Sequence, residues 1–264
     1  MTKTLVQAGQ FRGVTSQPLR NVLIYAPTII WVNRGYKKLW WQDDPRHYTQ
    51  EDWLVVPASH YLTFVNEPSQ TTFYSRTLTF LEPPPSEWLE DLSSRAASAS
   101  ASNAVNNEPR VSVTPQLAYC FDTLYEMAEK NLAADTQRQF LHGFYAELKA
   151  AGSLHLLFPS KEGALKEQLA SYLSLNPGDA HSIDTVATHF SMSPATLKRK
   201  LASEETSFRQ VLTNIRMVYA LSLMQKSRTQ LNIALACGYQ SEVRFASRFK
   251  DVFGVTPKQY VQTL

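Results

Sequence analysis

Cysteine is scarce in this chain: Cys120 and Cys237 are the only two in 264 residues, and no His or Cys flanks either at ligand spacing. That excludes a disulfide framework and a thiolate zinc site, leaving both as small apolar residues. Histidine is also sparse and scattered. Neither His47 nor His60 sits in a His-x-His pair or near a carboxylate that would close a site, so no catalytic metal is expected. Gly-rich phosphate loops, nucleophile motifs and paired-carboxylate signatures are missing too, so the chain does not read as an enzyme and calls for no cofactor. No apolar run approaches the roughly 18 residues of a membrane span, and no basic stretch precedes an apolar segment at the start. We therefore expect a cytoplasmic protein with no membrane partner.

What is present is a globular composition, 44% hydrophobic and 19% charged, over a length that suits two or three domains. The formal net charge of +3 conceals an asymmetry. From Ser182 to Leu264 there are 11 Lys and Arg against 5 Asp and Glu, whereas the preceding 181 residues hold 15 against 18. A basic C-terminal third on a mildly acidic remainder is the distribution expected when one segment meets a polyanion.

Between Leu19 and Phe80 the runs "VLIY", "TIIWV", "WLVV", "YLTFV" and "TTFYSRTLTF" are short, β-branched and aromatic, and are broken by Pro27, Gly35, "DDP" and "NEP". They form an all-β unit, a small barrel or sandwich, placed at 1–92. "SSRAASASASNAVNNEP" has almost nothing to bury, so 93–113 reads as a flexible linker. Thr114 and Pro115 then open a helix with Leu117, Phe121, Leu124 and Tyr125 on one face, and a second helix follows from Asp135 with Phe140, Phe144 and Leu148. This pair, 114–158, serves either dimerisation or packing between domains.

The stretch "SIDTVATHFSMSPATLKRKL" holds two short helices across a small-residue turn. Ser182 caps the first, Ala187 sits at the crossing, Ser193 with Pro194 starts the second, and Leu197 and Leu201 anchor it. The device recurs in "IALACGYQSEVRFASRFKDVFG", where Ala234 repeats Ala187, Gly238 supplies the turn, and Phe245 and Phe249 repeat the anchors. Between them "SFRQVLTNIRMVYALSLMQ" has apolar residues at helical spacing without Gly or Pro, a single long helix. Such a spacer lets one chain place two recognition helices in adjacent major grooves.

With these tandem units, the connecting "SFRQVLTNIRMVYAL" and the ending "GYQSEVRFASRFKDVFGVTPKQY", residues 160–264 resemble the DNA-binding domain of AraC/XylS-type transcriptional regulators. The resemblance implies an α+β chain: an N-terminal cupin-like β-barrel with a helical pair, and a C-terminal all-α domain of two helix-turn-helix units joined by a long helix. It implies a transcriptional activator whose partners are double-stranded DNA and RNA polymerase, with a small-molecule effector and a homodimer as further expectations. The family's DNA-binding positions fall on Ala195, Thr196, Lys198 and Arg199 in the first recognition helix. In the second they fall on Glu242, Val243, Arg244, Ala246, Ser247 and Arg248. Arg199 suits bidentate guanine reading, and Glu242 suits cytosine N4. Three departures stand out, one being Gln230, which occupies the position before the second unit where an apolar residue is usual. "FASRF" moves the arginine from position 247 to Arg248, and Glu205 replaces the glycine common before the long helix.

The N-terminal unit is rich in aromatics. Trp31, Tyr36, Tyr61, Phe64 and Phe73 are the candidate lining of an apolar effector pocket, with barrel core as the alternative role of each. The competing reading of the whole chain is a ligand-binding or enzymatic barrel whose C-terminal third is an adaptor for a protein partner.

Overall fold

The computed structural model of the chain describes residues 4–41, 44–89, 108–130, 132–159, 164–226 and 229–264. Its strands are β1 (Val6–Gly13), β2 (Gln17–Ile24), β3 (Thr28–Arg34), β4 (Tyr36–Trp41), β5 (Asp44–Tyr48), β6 (Asp52–Val56), β7 (His60–Glu67), β8 (Phe73–Phe80) and β9 (Arg110–Ser112). They form a five-stranded sheet in the order β1-β8-β3-β6-β9 and a four-stranded sheet in the order β2-β7-β4-β5. This is the cupin-like arrangement of antiparallel sheets. The register pairs Val6 with Phe80 and Ile29 with both Val55 and Leu78. In β7 the strand period buries Leu62, Phe64 and Asn66 on one face.

By contacts the chain divides into two compact units. The first comprises Met1–Val14, Ala26–Ala58 and Asn66–Glu162. Here α1 (Pro115–Ala128), α2 (Ala134–Ala150) and α3 (Leu154–Leu157) cover the five-stranded sheet. Leu117, Phe121, Leu124, Phe144 and Tyr145 pack on Val6, Ile29, Trp53, Leu78 and Phe80, so this side of the helical pair is intradomain packing. Thr114 caps α1 by accepting from Leu117 N, with Pro115 at the first position. In α2 the buried stripe is Gln137, Leu141, Phe144, Tyr145 and Leu148, whereas Phe140, expected inward, is exposed. At 100° per residue Phe140 lies roughly 90° from the centre of that stripe. The buried Gln137 amide is satisfied: it accepts from Leu5 N at 3.1 Å and donates to Leu132 O at 2.8 Å.

The expected linker needs correction at its end. Residues 110–112 are β9, antiparallel to β6, because Val111 is apolar enough to bury opposite Trp53 and Arg110 pairs with Asp52 and, at 2.8 Å, with Glu108. The 93–107 part of that expectation falls on residues outside those described.

The second unit comprises Thr15–Tyr25, Ser59–Val65 and Gly163–Leu264. Its helices are α4 (Leu165–Ser174), α5 (Ile183–His189), α6 (Pro194–Ser203), α7 (Phe208–Met224), α8 (Gln230–Ala236), α9 (Glu242–Phe253) and α10 (Pro257–Val261). The boundary expected at 160 is therefore incomplete, since most of β2 and β7 belongs with these helices. Leu23 enters the core made by Leu165, Leu169, Val186, Leu197, Leu201 and Ile215. Gln17 Nε2 donates to Thr263 Oγ1 at 2.9 Å, and Asn214 Nδ2 donates to Tyr61 Oη at 2.8 Å.

Candidate nucleic-acid interface

Each helix-turn-helix unit is built by caps at its helix starts and a small apolar core beneath. In the first, Thr185 N donates to Ser182 Oγ at 3.1 Å and Thr196 N to Ser193 Oγ at 3.1 Å, which satisfies donors that helix starts leave open. Val186, Ala187, Leu197 and Leu201 are fully buried. That packing turns Ala195, Lys198 and Arg199 outward to solvent. Thr196 is half-buried, and its hydroxyl lies 2.9 Å from Ser193 Oγ, so it serves the cap.

The second unit repeats the plan. Thr229 caps α8 and Ser241 caps α9, while Ile233, Ala234, Phe245, Phe249 and Phe253 are buried. Gly238 at the turn has φ of +76°, where a side chain is strained. On α9 the outward residues are Val243, Arg244, Ser247 and Arg248, with Glu242 and Ala246 half-buried. Val243 is 79% exposed, an apolar side chain among the outward residues of α9. Glu242 occupies the first turn, where the helix dipole favours a carboxylate. Arg248 lies 3.7 Å from Asp251 in an exposed pair of little energetic weight. Among the described residues no carboxylate lies within ion-pair distance of Lys198, Arg199 or Arg244.

Between the units α7 is one uninterrupted helix of 17 residues, capped by Ser207. The turn before it does place Glu205 at φ of +57°, the strain expected where glycine is replaced. Its neighbour Glu204 has a role the sequence did not reveal. The Glu204 carboxylate accepts from Leu165 N at 2.9 Å and Lys166 N at 2.8 Å, capping α4 from 39 positions away.

The five aromatic candidates for an effector pocket stand in different surroundings. Trp31 packs edge-on against Phe121 of α1 at 5.3 Å and donates to Gln50 O, so it belongs to the sheet–helix core. Tyr36 is exposed beside the His47 ring, and Tyr61 is held by Asn214. Phe64 and Phe73 are buried. Strand alternation predicts which face a residue takes but not what covers that face. Beside Phe73 the sequence reading missed Lys37. Its ammonium is buried, donates to Asn66 Oδ1 and lies 5.5 Å from the centre of the Phe73 ring. Desolvation pushes it down to about 7. Among the described residues no cluster of three or more His, Cys, Asp or Glu could hold a metal ion, and no helix is long and apolar enough to cross a membrane.

Two capped helix pairs, duplicated on a shared helix and presenting uncompensated cations, define the second unit as a tandem helix-turn-helix domain. Residues 186–263 match the family model described as a helix-turn-helix domain. Over 81 residues the chain is 42% identical to the HTH-type transcriptional regulator AdiY of Escherichia coli K12, covering 30% of this chain and 32% of that protein. Over 97 residues it is 33% identical to the HTH-type transcriptional regulator GadX of the same organism, covering 36% and 35%. The chain thus spans about a third of the length of the curated relatives it matches. Residues 186–263 are thus similar to helix-turn-helix domains of transcriptional regulators. A likeness over nearly the full length is found with ToxT from Vibrio cholerae, with a TM-score of 0.60 at 17% identity, covering 97% of this chain and 98% of that one. A second ToxT structure, described as bound to an unsaturated fatty acid, gives a TM-score of 0.60 at 15% identity, covering 100% and 97%. At these identities the likeness establishes the fold.

Proposed function

We propose that this chain is a sequence-specific DNA-binding transcriptional regulator, an activator that works with RNA polymerase and reads two adjacent major grooves of one duplex. The observation that carries this reading is the duplication: two capped recognition helices, each with outward cations, on a single 17-residue helix. Phosphate contacts position such a domain and a few side chains specify the sequence. Arg199 reads a guanine through its two-pronged guanidinium, Lys198 and Arg244 contact base or phosphate, and Val243 meets a thymine methyl. The test is selection of bound duplexes from a randomised pool, followed by footprinting at several salt concentrations. Arg199→Ala is expected to cost about 1–3 kcal/mol on the selected duplex and to relax preference at one base pair. Equal weakening on every sequence would make Arg199 a phosphate contact.

The N-terminal unit takes an apolar small molecule that carries an acidic group. Support comes from Lys37, a buried amine beside the Phe73 ring, and from the fatty acid named for the ToxT structure. With Lys37 near 7, a carboxylate bound beside it draws a proton onto it above that pH, so binding should take up protons. Titration with an unsaturated fatty acid at pH 8 should raise the melting temperature and shift DNA affinity together. Neither shift, with DNA binding intact, would favour a constitutive regulator.

A further inference from the structure

Arg216 sits at the middle of α7 and meets both helix-turn-helix units. Its Nε donates to Pro177 O at 3.0 Å and its Nη2 to Asp179 O at 2.9 Å, in the turn that leads into the Ser182 cap. The same guanidinium lies 5.8 Å from the centre of the Tyr239 ring, in the turn of the second unit. Tyr239 in turn meets Phe245, an anchor of α9, edge-on at 5.8 Å. The two turns touch through their backbones. A Cβ on Gly178 would overlap Ala236 O, and one on Gly238 would lie 2.6 Å from Arg216 Nη2 and 2.8 Å from Gly178 O.

We infer that Arg216 is a positioning residue that fixes the separation and phase of the two recognition helices, and so makes the spacing between two DNA boxes part of the specificity. The shared helix alone leaves a freedom that this contact removes. α7 fixes the distance along its own axis, but each unit grips it through different side chains and can roll about it. A planar cation bonded to the turn before α5 and set against the aromatic ring before α9 ties the two rolls together. Lysine does not substitute, because one ammonium cannot hold two carbonyls in a plane and face a ring as well. The DNA arm of this inference rests on the proposed DNA-reading function; the mechanical arm does not.

The test uses the full chain with Arg216→Ala and Arg216→Lys, each checked for folding by circular dichroism. Spin labels at Ala202→Cys and Lys250→Cys, in a Cys120→Ser, Cys237→Ala background, report the distance between α6 and α9 without DNA. Arg216 should give one narrow distribution, and both variants a broader one. On the duplex selected by the wild-type chain, Arg216→Ala should lose about tenfold in affinity. Binding to a single-box duplex should stay unchanged, and the penalty for adding or removing one or two base pairs between boxes should shrink. A broadened distribution with no duplex ever selected would sink the DNA-reading function and leave the joint standing. An unchanged distribution and spacing profile, or equal loss on the single box, would overturn the role assigned to Arg216. If Arg216→Ala does not fold, the same readouts on Arg216→Lys decide.

Discussion

Inserting about five base pairs between the two boxes of the selected duplex is expected to reduce affinity to that of a single box, because half a helical turn carries the second box to the far side. The loss is on the order of 10²–10⁴-fold, the gain that linked binding supplies when both halves engage. Inserting about ten base pairs restores the face but adds a full turn of roughly 34 Å. α7 has 17 residues, about 26 Å at 1.5 Å each, and cannot lengthen. Affinity should therefore fail at both insertions. Two readers on a flexible tether would recover at ten, and that recovery would mean that α7 bends or breaks on DNA. The comparison must be made at fixed, moderate salt, since attraction to phosphate alone conceals the difference at low ionic strength.

Phe249→Ala should remove the second reader altogether. Phe249 is fully buried, with Phe253 at 4.8 Å, Phe245 at 5.9 Å and Tyr260 at 6.2 Å between ring centres, so truncation opens a cavity that three aromatic neighbours cannot close. The cost is about 3–5 kcal/mol. That approaches the whole stability of a small domain. The first reader keeps its own core around Leu197 and Leu201. The expected footprint therefore shrinks to one box, with an early unfolding step in denaturant. A two-box footprint with an unshifted melt would show that the Phe249 site collapses around the smaller side chain.

Much of the second unit was legible because its signals are local. Ser182 and Ser193 announce helix starts by chemistry that reaches three residues, and Leu197, Leu201, Phe245 and Phe249 announce faces by period. Glu205 is a sharper case: a side chain where glycine is usual left either a strained cap or a different turn, and the positive φ found there is the strained cap. What escaped depends on partners distant in sequence. The Glu204 cap on α4, the joining of β9 to β6 and the place of Trp31 against α1 are set by which elements meet, and no window of sequence holds both halves. Phe140 was lost for a smaller reason, an i+4 pattern followed one step past the edge of the stripe.

The inclusion of residues 15–25 and 59–65 in the helical unit bears on how the molecule is made. Gln17 and Thr263 are 246 positions apart, yet they are hydrogen-bonded inside one compact unit. On the ribosome these two strands emerge long before the helices they join, at about 5–20 residues per second. The apolar side chain of Leu23 must wait uncovered, and closure of so long a loop slows folding in the way that non-local contacts do. A fragment starting at residue 160 would fold without Leu23 and Tyr61, leaving part of its core surface and Asn214 to water. The helices of this unit thus reach their final packing only after Thr263 has been made, on strands synthesised well before them.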